Sequence, residues 1–396
     1  MNPRVAVVSS LRDDGWSEAA LVVRRVAGAL GCQADVDLLV TGATRSTGTD
    51  GAVRVVGFPS LDARPDRTAA LRRSLLGPEP GDSGVTCRCT AELRRQLAGA
   101  LPTAAWEAML VAAGGYSPEL FEHLDTSSYD AVVFVGADTS STYWGMDAIA
   151  GRRPTVVVAA AAGDPGFWSP AVDDVLDGAD RVVVTTPFEA DLVRRRAPAL
   201  KEDQLRQVGF VVQVNAMAKR APAFGFDGRP TVVVARNWDE EVRMDLLVDW
   251  CDALVRDFGS RLAVRLAGPG AQRVPRRLRA EFASSRTDVW RWMAHATCLL
   301  DPEPDRLLGR EVLEAMLFAT PVVVPADGGA TRVHAEDGNA GLWYRSYEEL
   351  RSCVAALVDG DLKETIGGQA RAYAAGTYGD TGAFVAGVND AVLELV

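Results

Sequence analysis

Short runs of β-branched and aliphatic residues recur along this chain, separated by longer stretches whose apolar positions fall every three or four residues. "RVAVVSS" (4–10) predicts a first strand, and "SEAALVVRRVAGAL" (17–30) follows it with helical spacing. "VDLLVTG" (36–42), "VRVVGF" (53–58), "DAVVFVGA" (130–137), "PTVVVAAA" (154–161) and "RVVVTT" (181–186) predict five more strands. These runs are mostly apolar rather than alternating, which is the pattern of a sheet covered on both faces. The β–α alternation makes that sheet parallel and doubly wound. Residues 62–125 interrupt it as a helical insertion punctuated by proline and glycine.

The pattern breaks at "AKRAPAFGFDGRP" (218–230), rich in glycine, proline and charge, and then restarts. "TVVVAR" (231–236), "RLAVRLAG" (261–268), "TCLLDP" (297–302) and "PVVVP" (321–325) predict strands. Helices are expected at 243–258, 310–319, 347–358 and 361–375, and 381–396 is amphipathic. The expected fold class is α/β: two Rossmann-like, doubly wound parallel-sheet domains facing a cleft. Their expected bounds are 1–218 and 231–380, joined by a linker at 219–230, with 381–396 a helix that packs back on the N-terminal domain.

Composition narrows the partners. The chain has 396 residues, too many for one ordinary core, with 48% hydrophobic and 24% charged residues. A net charge of −11 argues against a nucleic acid or an anionic membrane as the main partner. The basic runs at 193–201 and 273–279 read as solvated faces. The longest small-apolar run, "TVVVAAAAG" (155–163), is too short to span a bilayer, and the first residues carry no run long enough for a signal peptide. Six cysteines are scattered, and Cys87-Arg88-Cys89 lacks the spacing of a zinc or redox pair. With three histidines in the chain, no metal site and no cofactor are expected, and reduced thiols in a cytoplasm are.

The chemistry concentrates in "LLGREVLEAMLFATPVVVPADGG" (307–329). Val312, Leu313, Met316 and Leu317 fall on one helical face, with Glu311 and Glu314 in or near the first turns. The free N–H groups of that helix start suit a phosphate, with Gly309 allowing close approach and Gly328-Gly329 offering a second exposed backbone. A capped helix followed by a tight turn is the plainer reading of the same spacing. Trp290, Trp292 and His295 read as packing residues. Asp164, past the carboxyl end of a strand, is an acceptor-side candidate.

This stretch, with "AGLWYRSYEELRSCVAALVDGD" (340–361), resembles the C-terminal signature of retaining GT-B glycosyltransferases, family 4 in particular. "DGADRVVVTTPFEADLVRR" (177–195), "VGFVVQVN" (208–215) and "VVVAR" (232–236) are similar to other parts of that family's layout. The resemblance implies that Glu314 holds the ribose of a nucleotide diphospho-sugar. It also implies that Arg236, Gly309, Arg310, Gly328 and Gly329 line the donor. The family's first glutamate, at the donor sugar, falls here on Arg306. Glu303 has the bare spacing to Glu311 but stands out of register, unless a local insertion in "DPEPDRLLGRE" returns Glu303 or Asp305 to that place.

Other positions depart from the pattern. The diphosphate-binding lysine falls on Glu241 or Val242, with Arg243 a substitute; the first glycine pair reads Gly15-Trp16; and a His-Asp pair reads Gly163-Asp164. The resemblance implies a metal-independent, retaining glycosyltransferase acting on a glycan, a lipid-linked acceptor or a small molecule. The departures point to an alternative, a catalytically silent GT-B protein that serves as a partner subunit or binds a glycan or nucleotide.

Overall fold

In the computed structural model the apolar runs form the middle of two sheets, where each backbone N–H and C=O finds a neighbouring strand and each side chain a helix. The structure describes all residues except 1, 11–16, 62–64, 77–93, 95, 162–164, 216–225, 239–243, 275–279, 284, 304–305 and 360. The chain divides into two compact units, and among the described residues the unit changes between Phe210 and Val211 and again between Asp380 and Thr381.

The N-terminal sheet has eight strands in the order β3-β4-β2-β1-β5-β6-β7-β8. They are β1 (Arg4–Ser9), β2 (Asp35–Gly42), β3 (Ser46–Asp50), β4 (Val53–Pro59), β5 (Ala131–Val135), β6 (Thr155–Val158), β7 (Arg181–Val184) and β8 (Leu205–Gln207). All neighbours are parallel except β3, which runs antiparallel to β4 as an exposed edge. β1 lies between β2 and β5, in the register Val5 opposite Val36 and Ala131. The core under this sheet includes Val8, Leu39, Phe58, Phe134, Val157 and Val182, all buried.

The Thr381–Leu393 helix belongs to this unit. It packs on the Glu18–Leu30 helix, and Asn389 Nδ2 donates to the Ala29 carbonyl at 3.0 Å. Arg181 at the start of β7 donates to the Ala391 carbonyl at 3.0 Å and pairs with Glu394 at 2.9 Å. At the amino edge of the sheet Asp37 is buried and accepts from Arg54, from Arg4 at 2.9 Å and from Tyr129 Oη at 2.8 Å. Burial would raise its carboxyl, but these donors hold it below the ordinary aspartate value. Asp37 thus serves the edge of the strand.

The C-terminal sheet is wholly parallel, in the order β11-β10-β9-β12-β13-β14. Its strands are β9 (Thr231–Ala235), β10 (Ala263–Ala267), β11 (Glu281–Ala283), β12 (Cys298–Leu300), β13 (Val322–Pro325) and β14 (Gly341–Tyr344). β9 is the central strand from which the chain goes first to β10 on one side and later to β12 on the other. The crevice at the carboxyl ends of β9 and β12 is therefore the topological switch point of this domain.

Among the described residues no helix is long and apolar enough to cross a membrane. Cys32, Cys251, Cys298 and Cys353 are free thiols; Cys87 and Cys89 lie outside the described residues.

Candidate donor site in the C-terminal domain

Three adjacent strands deliver the candidate residues to one edge of the sheet. β9 ends at Ala235 and hands the chain to Arg236, whose N–H still donates to the Ala267 carbonyl of β10 at 3.0 Å. The Arg236 side chain is 2% exposed and lies 5.6 Å from the centre of the Trp238 ring. Trp238 is itself fixed by an indole N–H donated to the Ala267 carbonyl at 3.0 Å.

From the end of β12 come Asp301, Glu303 and Arg306. Glu303 pairs with Arg236 at 3.3 Å and with Arg306 at 3.2 Å, so one carboxylate bridges two guanidinium groups at the switch point. Asp301 lies behind them, 3.7 Å from Arg306, with Oδ1 accepting from the Glu303 N–H at 3.3 Å. Burial pushes its carboxyl up to about 7, against the pull of Arg306.

Leu307 and Leu308 are buried and pin the chain before Gly309, which opens the Arg310–Leu317 helix in the left-handed region (φ 67, ψ 47). A Cβ at Gly309 would stand 2.6 Å from Thr331 Cγ2. After β13, Gly328 precedes the Gly329–Asp337 helix, and a Cβ there would stand 2.9 Å from the Pro325 carbonyl and 3.0 Å from Thr331 Oγ1. Thr331 thus sits against both Gly309 and Gly328. Two of the glycines singled out in the sequence are brought together on one side chain, and each is glycine because the neighbouring backbone or Thr331 occupies the Cβ space.

The Arg310–Leu317 helix carries Glu311 and Glu314, and both are buried along with Val312, Leu313 and Met316, while Leu317 is half-buried. Glu314 Oε1 accepts from Arg286 Nη2 at 2.9 Å and from Arg310 Nε at 2.9 Å. Glu311 Oε1 accepts from Arg286 Nη1 at 2.8 Å. The second oxygen of each carboxylate is buried and accepts no bond from the described residues. Burial would raise Glu311, but Arg286 and Arg306 hold it below the ordinary glutamate range.

Arg286 comes from the first turn of the Arg286–His295 helix and was not a candidate in the sequence. Its signal there is only an arginine placed just inside a helix start, which usually faces water. Trp292 on the same helix is buried, and His295 meets Phe226 at 5.7 Å between ring centres.

His334 was also missed. It is 0% exposed, and its Nε2 lies 2.9 Å from the Leu308 carbonyl, which can only accept, so Nε2 carries the proton. Nδ1 then accepts from Tyr373 Oη at 3.0 Å. Burial pulls the imidazole down to about 4. A neutral histidine therefore fastens the backbone one residue before the glycine that starts the helix.

Gly15, Trp16, Gly163, Asp164, Glu241, Val242, Arg243 and Asp305 lie outside the described residues. Among the described residues no group of three or more histidine, cysteine, aspartate or glutamate side chains is placed to hold a metal ion.

Residues 229–359, about a third of the chain, match the family model described as Glycosyl transferases group 1. No curated protein matches this chain in sequence. Solved structures match along nearly its whole length. Anabaena Alr3699/HepE, in complex with UDP and glucose, shares 15% identity over 98% of both chains with a TM-score of 0.65. Sucrose-phosphate synthase from Thermosynechococcus elongatus shares 15% identity over 97% of this chain and 96% of its own, with a TM-score of 0.64. WaaG, a glycosyltransferase involved in lipopolysaccharide biosynthesis, shares 13% identity over 98% of this chain and 99% of its own, with a TM-score of 0.62. Residues 229–359 are thus similar to the glycosyl transferases group 1, and the chain as a whole has the two-domain α/β fold of the GT-B glycosyltransferases it matches in structure.

Proposed function

We propose that the chain transfers a sugar from a nucleoside diphosphate donor held at the carboxyl ends of β9, β12 and β13. The observation that carries this reading is the pair of guanidinium groups, Arg236 and Arg306, bridged by Glu303 at the switch point. The arginine pair and the helix starts at Gly309 and Gly329 supply the donors that a diphosphate needs as it departs. Glu314 takes the ribose: its Oε1 is held by Arg286 and Arg310, and its Oε2 has acceptor capacity left for two hydroxyls. That oxygen is buried, so the nucleotide reaches it only once neighbouring side chains move.

In the transfer the acceptor oxygen bonds to the anomeric carbon as the bond from that carbon to the diphosphate breaks. The electron pair and, in the net reaction, the hydroxyl proton go to the diphosphate. Retention of configuration and independence of metal belong to this proposal through the resemblance to family 4. Arg306 stands where that family has its first glutamate, which makes the nearby Glu303 the carboxylate of interest at the donor sugar.

One observation favours a second reading. Arg236 and Arg306 share the Glu303 carboxylate and Arg310 pairs with Glu314, so an arriving diphosphate meets charges that are already partly balanced. A catalytically silent protein that serves another subunit would tolerate that balance. A thermal-shift titration with UDP, GDP, ADP and TDP separates the two. Binding at 100 times the dissociation constant is worth about 2.7 kcal/mol and raises the melting temperature measurably. A shift with one base, followed by turnover of the matching nucleotide sugar, supports transfer. No shift with any of the four removes the donor reading and leaves the second.

A further inference from the structure

The N-terminal domain carries a groove of its own. Its floor and one wall come from the insertion, whose Thr103–Ala113 helix is tied to the carboxyl edge of the sheet. Ser140, at the start of the helix after β5, donates to the Leu110 carbonyl at 2.7 Å and the Gly114 carbonyl at 2.9 Å. Gly115 (φ +85) lies so close that a Cβ would stand 2.4 Å from Ser10 Cβ, just past β1, and 3.5 Å from Thr41 in β2. The insertion helix therefore ends over the point where β1 has β2 on one side and β5 on the other. That is the switch point of this sheet, where open α/β sheets bind their ligands.

Beside it opens a cavity of about 750 Å³. Drug-sized ligands occupy pockets of about 300–1,000 Å³. Tyr116 and Trp144 form one side, edge to face with ring centres 4.8 Å apart. Tyr116 is held in place because its carbonyl accepts from the Leu61 N–H at 3.0 Å and because Ser117 Oγ donates to the Pro59 carbonyl at 2.6 Å. The other side is the insertion helix, whose groove-facing positions are Ala104, Ala108, Val111 and Ala112. These fall at i, i+4, i+7 and i+8, so one helical face is kept small to leave room. Leu61, 52% exposed, covers one end. The polar groups are few: Ser60, Arg67 and Glu107, the last accepting from Tyr143 Oη at 3.4 Å.

We propose that this groove binds the acceptor, and that the acceptor is a small molecule with a flat apolar ring body and a free hydroxyl. The proposal rests on the sugar-transfer reading for the word acceptor, but not for the binding. A flat ring system fits between Trp144 with Tyr116 and the alanine face, with Ser60, Arg67 and Glu107 left at its margin. A sugar ring would turn hydroxyls toward Val111 and the alanines, whose side chains offer no hydrogen bond in return. Glu107, on the same helical face, accepts the hydroxyl and sets which end of the molecule is held.

The test is a calorimetric titration of the full chain with 4-methylumbelliferone, a two-ring phenol, and in parallel with maltose. Saturable binding of the phenol and none of maltose is expected. Ala108→Trp, at an exposed position of the helix, fills the groove and should weaken the phenol by about tenfold or more. Trp144→Leu, which removes the aromatic wall, should weaken it as well, and melting curves establish that each variant folds. No binding of the phenol, equal binding by Ala108→Trp, or binding of maltose instead would overturn the proposal. UDP, GDP, ADP and TDP are titrated on the same samples. Loss of every diphosphate with the phenol retained counts against the donor site alone, and the reverse counts against the groove alone.

Discussion

Arg236 and Glu303 meet at 3.3 Å across the switch point of the C-terminal sheet, one from the end of β9 and the other from the loop after β12. The pair gives Arg236 a partner in the absence of any donor, and a diphosphate has to compete with Glu303 for it. Glu303→Gln removes the competing charge. Diphosphate affinity should rise by about 1.4 kcal/mol, or tenfold. Calorimetry with the best-binding diphosphate reads this directly, and a fall in affinity would place Glu303 among the groups that hold the donor.

Glu314→Gln keeps the volume of a buried side chain and removes the charge that two ribose hydroxyls would meet. Ribonucleoside diphosphate binding should weaken by about 1.5–3 kcal/mol, the worth of hydrogen bonds to a charged group. A dideoxy diphosphate, which lacks those hydroxyls, should bind the variant and the parent equally. Equal loss for both nucleotides would mean that Glu314 acts by holding Arg286 and Arg310 rather than by touching ribose.

Gly309→Ala combines two costs. Its φ of 67 is unfavourable for a residue with a Cβ, by about 1–2 kcal/mol, and that Cβ would stand 2.6 Å from Thr331 Cγ2. Thr331→Ser removes the clashing methyl and keeps the hydroxyl that bonds to the Gly328 carbonyl at 3.2 Å. The double variant should therefore regain the steric part in a denaturant melt and keep the backbone part. Simple additivity of the two single losses would show that Gly309 and Thr331 are not in contact.

His334 gives stability a slope with pH. The unfolded imidazole takes up its proton near 6.5, while the folded one stays neutral down to about 4. The unfolded chain thus binds more protons between those values, and stability falls as pH drops through that window, by about 3 kcal/mol in all. Melting temperatures of the parent and of His334→Gln, measured from pH 7 to pH 4, should diverge: the variant loses this part of the slope. Parallel curves would remove His334 as its source.

Much of the fold could be read from the chain because fully buried strands leave little room for polar residues. The runs at 4–10, 36–42, 130–137, 231–236 and 321–325 all fall on strands that the structure buries. β3, β8 and β11 escaped because they are short or exposed edges with no apolar run, and β14 because "GLWY" is only four residues long. The candidate site divides along a similar line. Gly309, Glu314 and Gly328 stand at or near helix starts, which spacing locates, and Arg236 stands at a strand end that the family resemblance marked. Arg286 and His334 are distant in sequence from the groups they hold, and nothing local marks an arginine or a histidine as buried. Glu303 was a candidate by its spacing, but its pairing with Arg306 and, from the neighbouring strand, with Arg236 could not be read from the chain.

The membership of Thr381–Leu393 in the first unit has a consequence for biosynthesis. A ribosome completes all of the second unit before it makes the helix that supplies Asn389 to Ala29 and the carbonyls that receive Arg181. Domains generally fold as they emerge, N-terminal first. Once the chain up to Phe210 is made, the Glu18–Leu30 helix still waits with an uncovered flank while the 170 residues from Val211 to Asp380 are translated, about 10–30 s at ordinary elongation rates. The nascent chain is then a finished C-terminal domain tethered to an unfinished N-terminal one, and that interval is when holdase chaperones have most to bind.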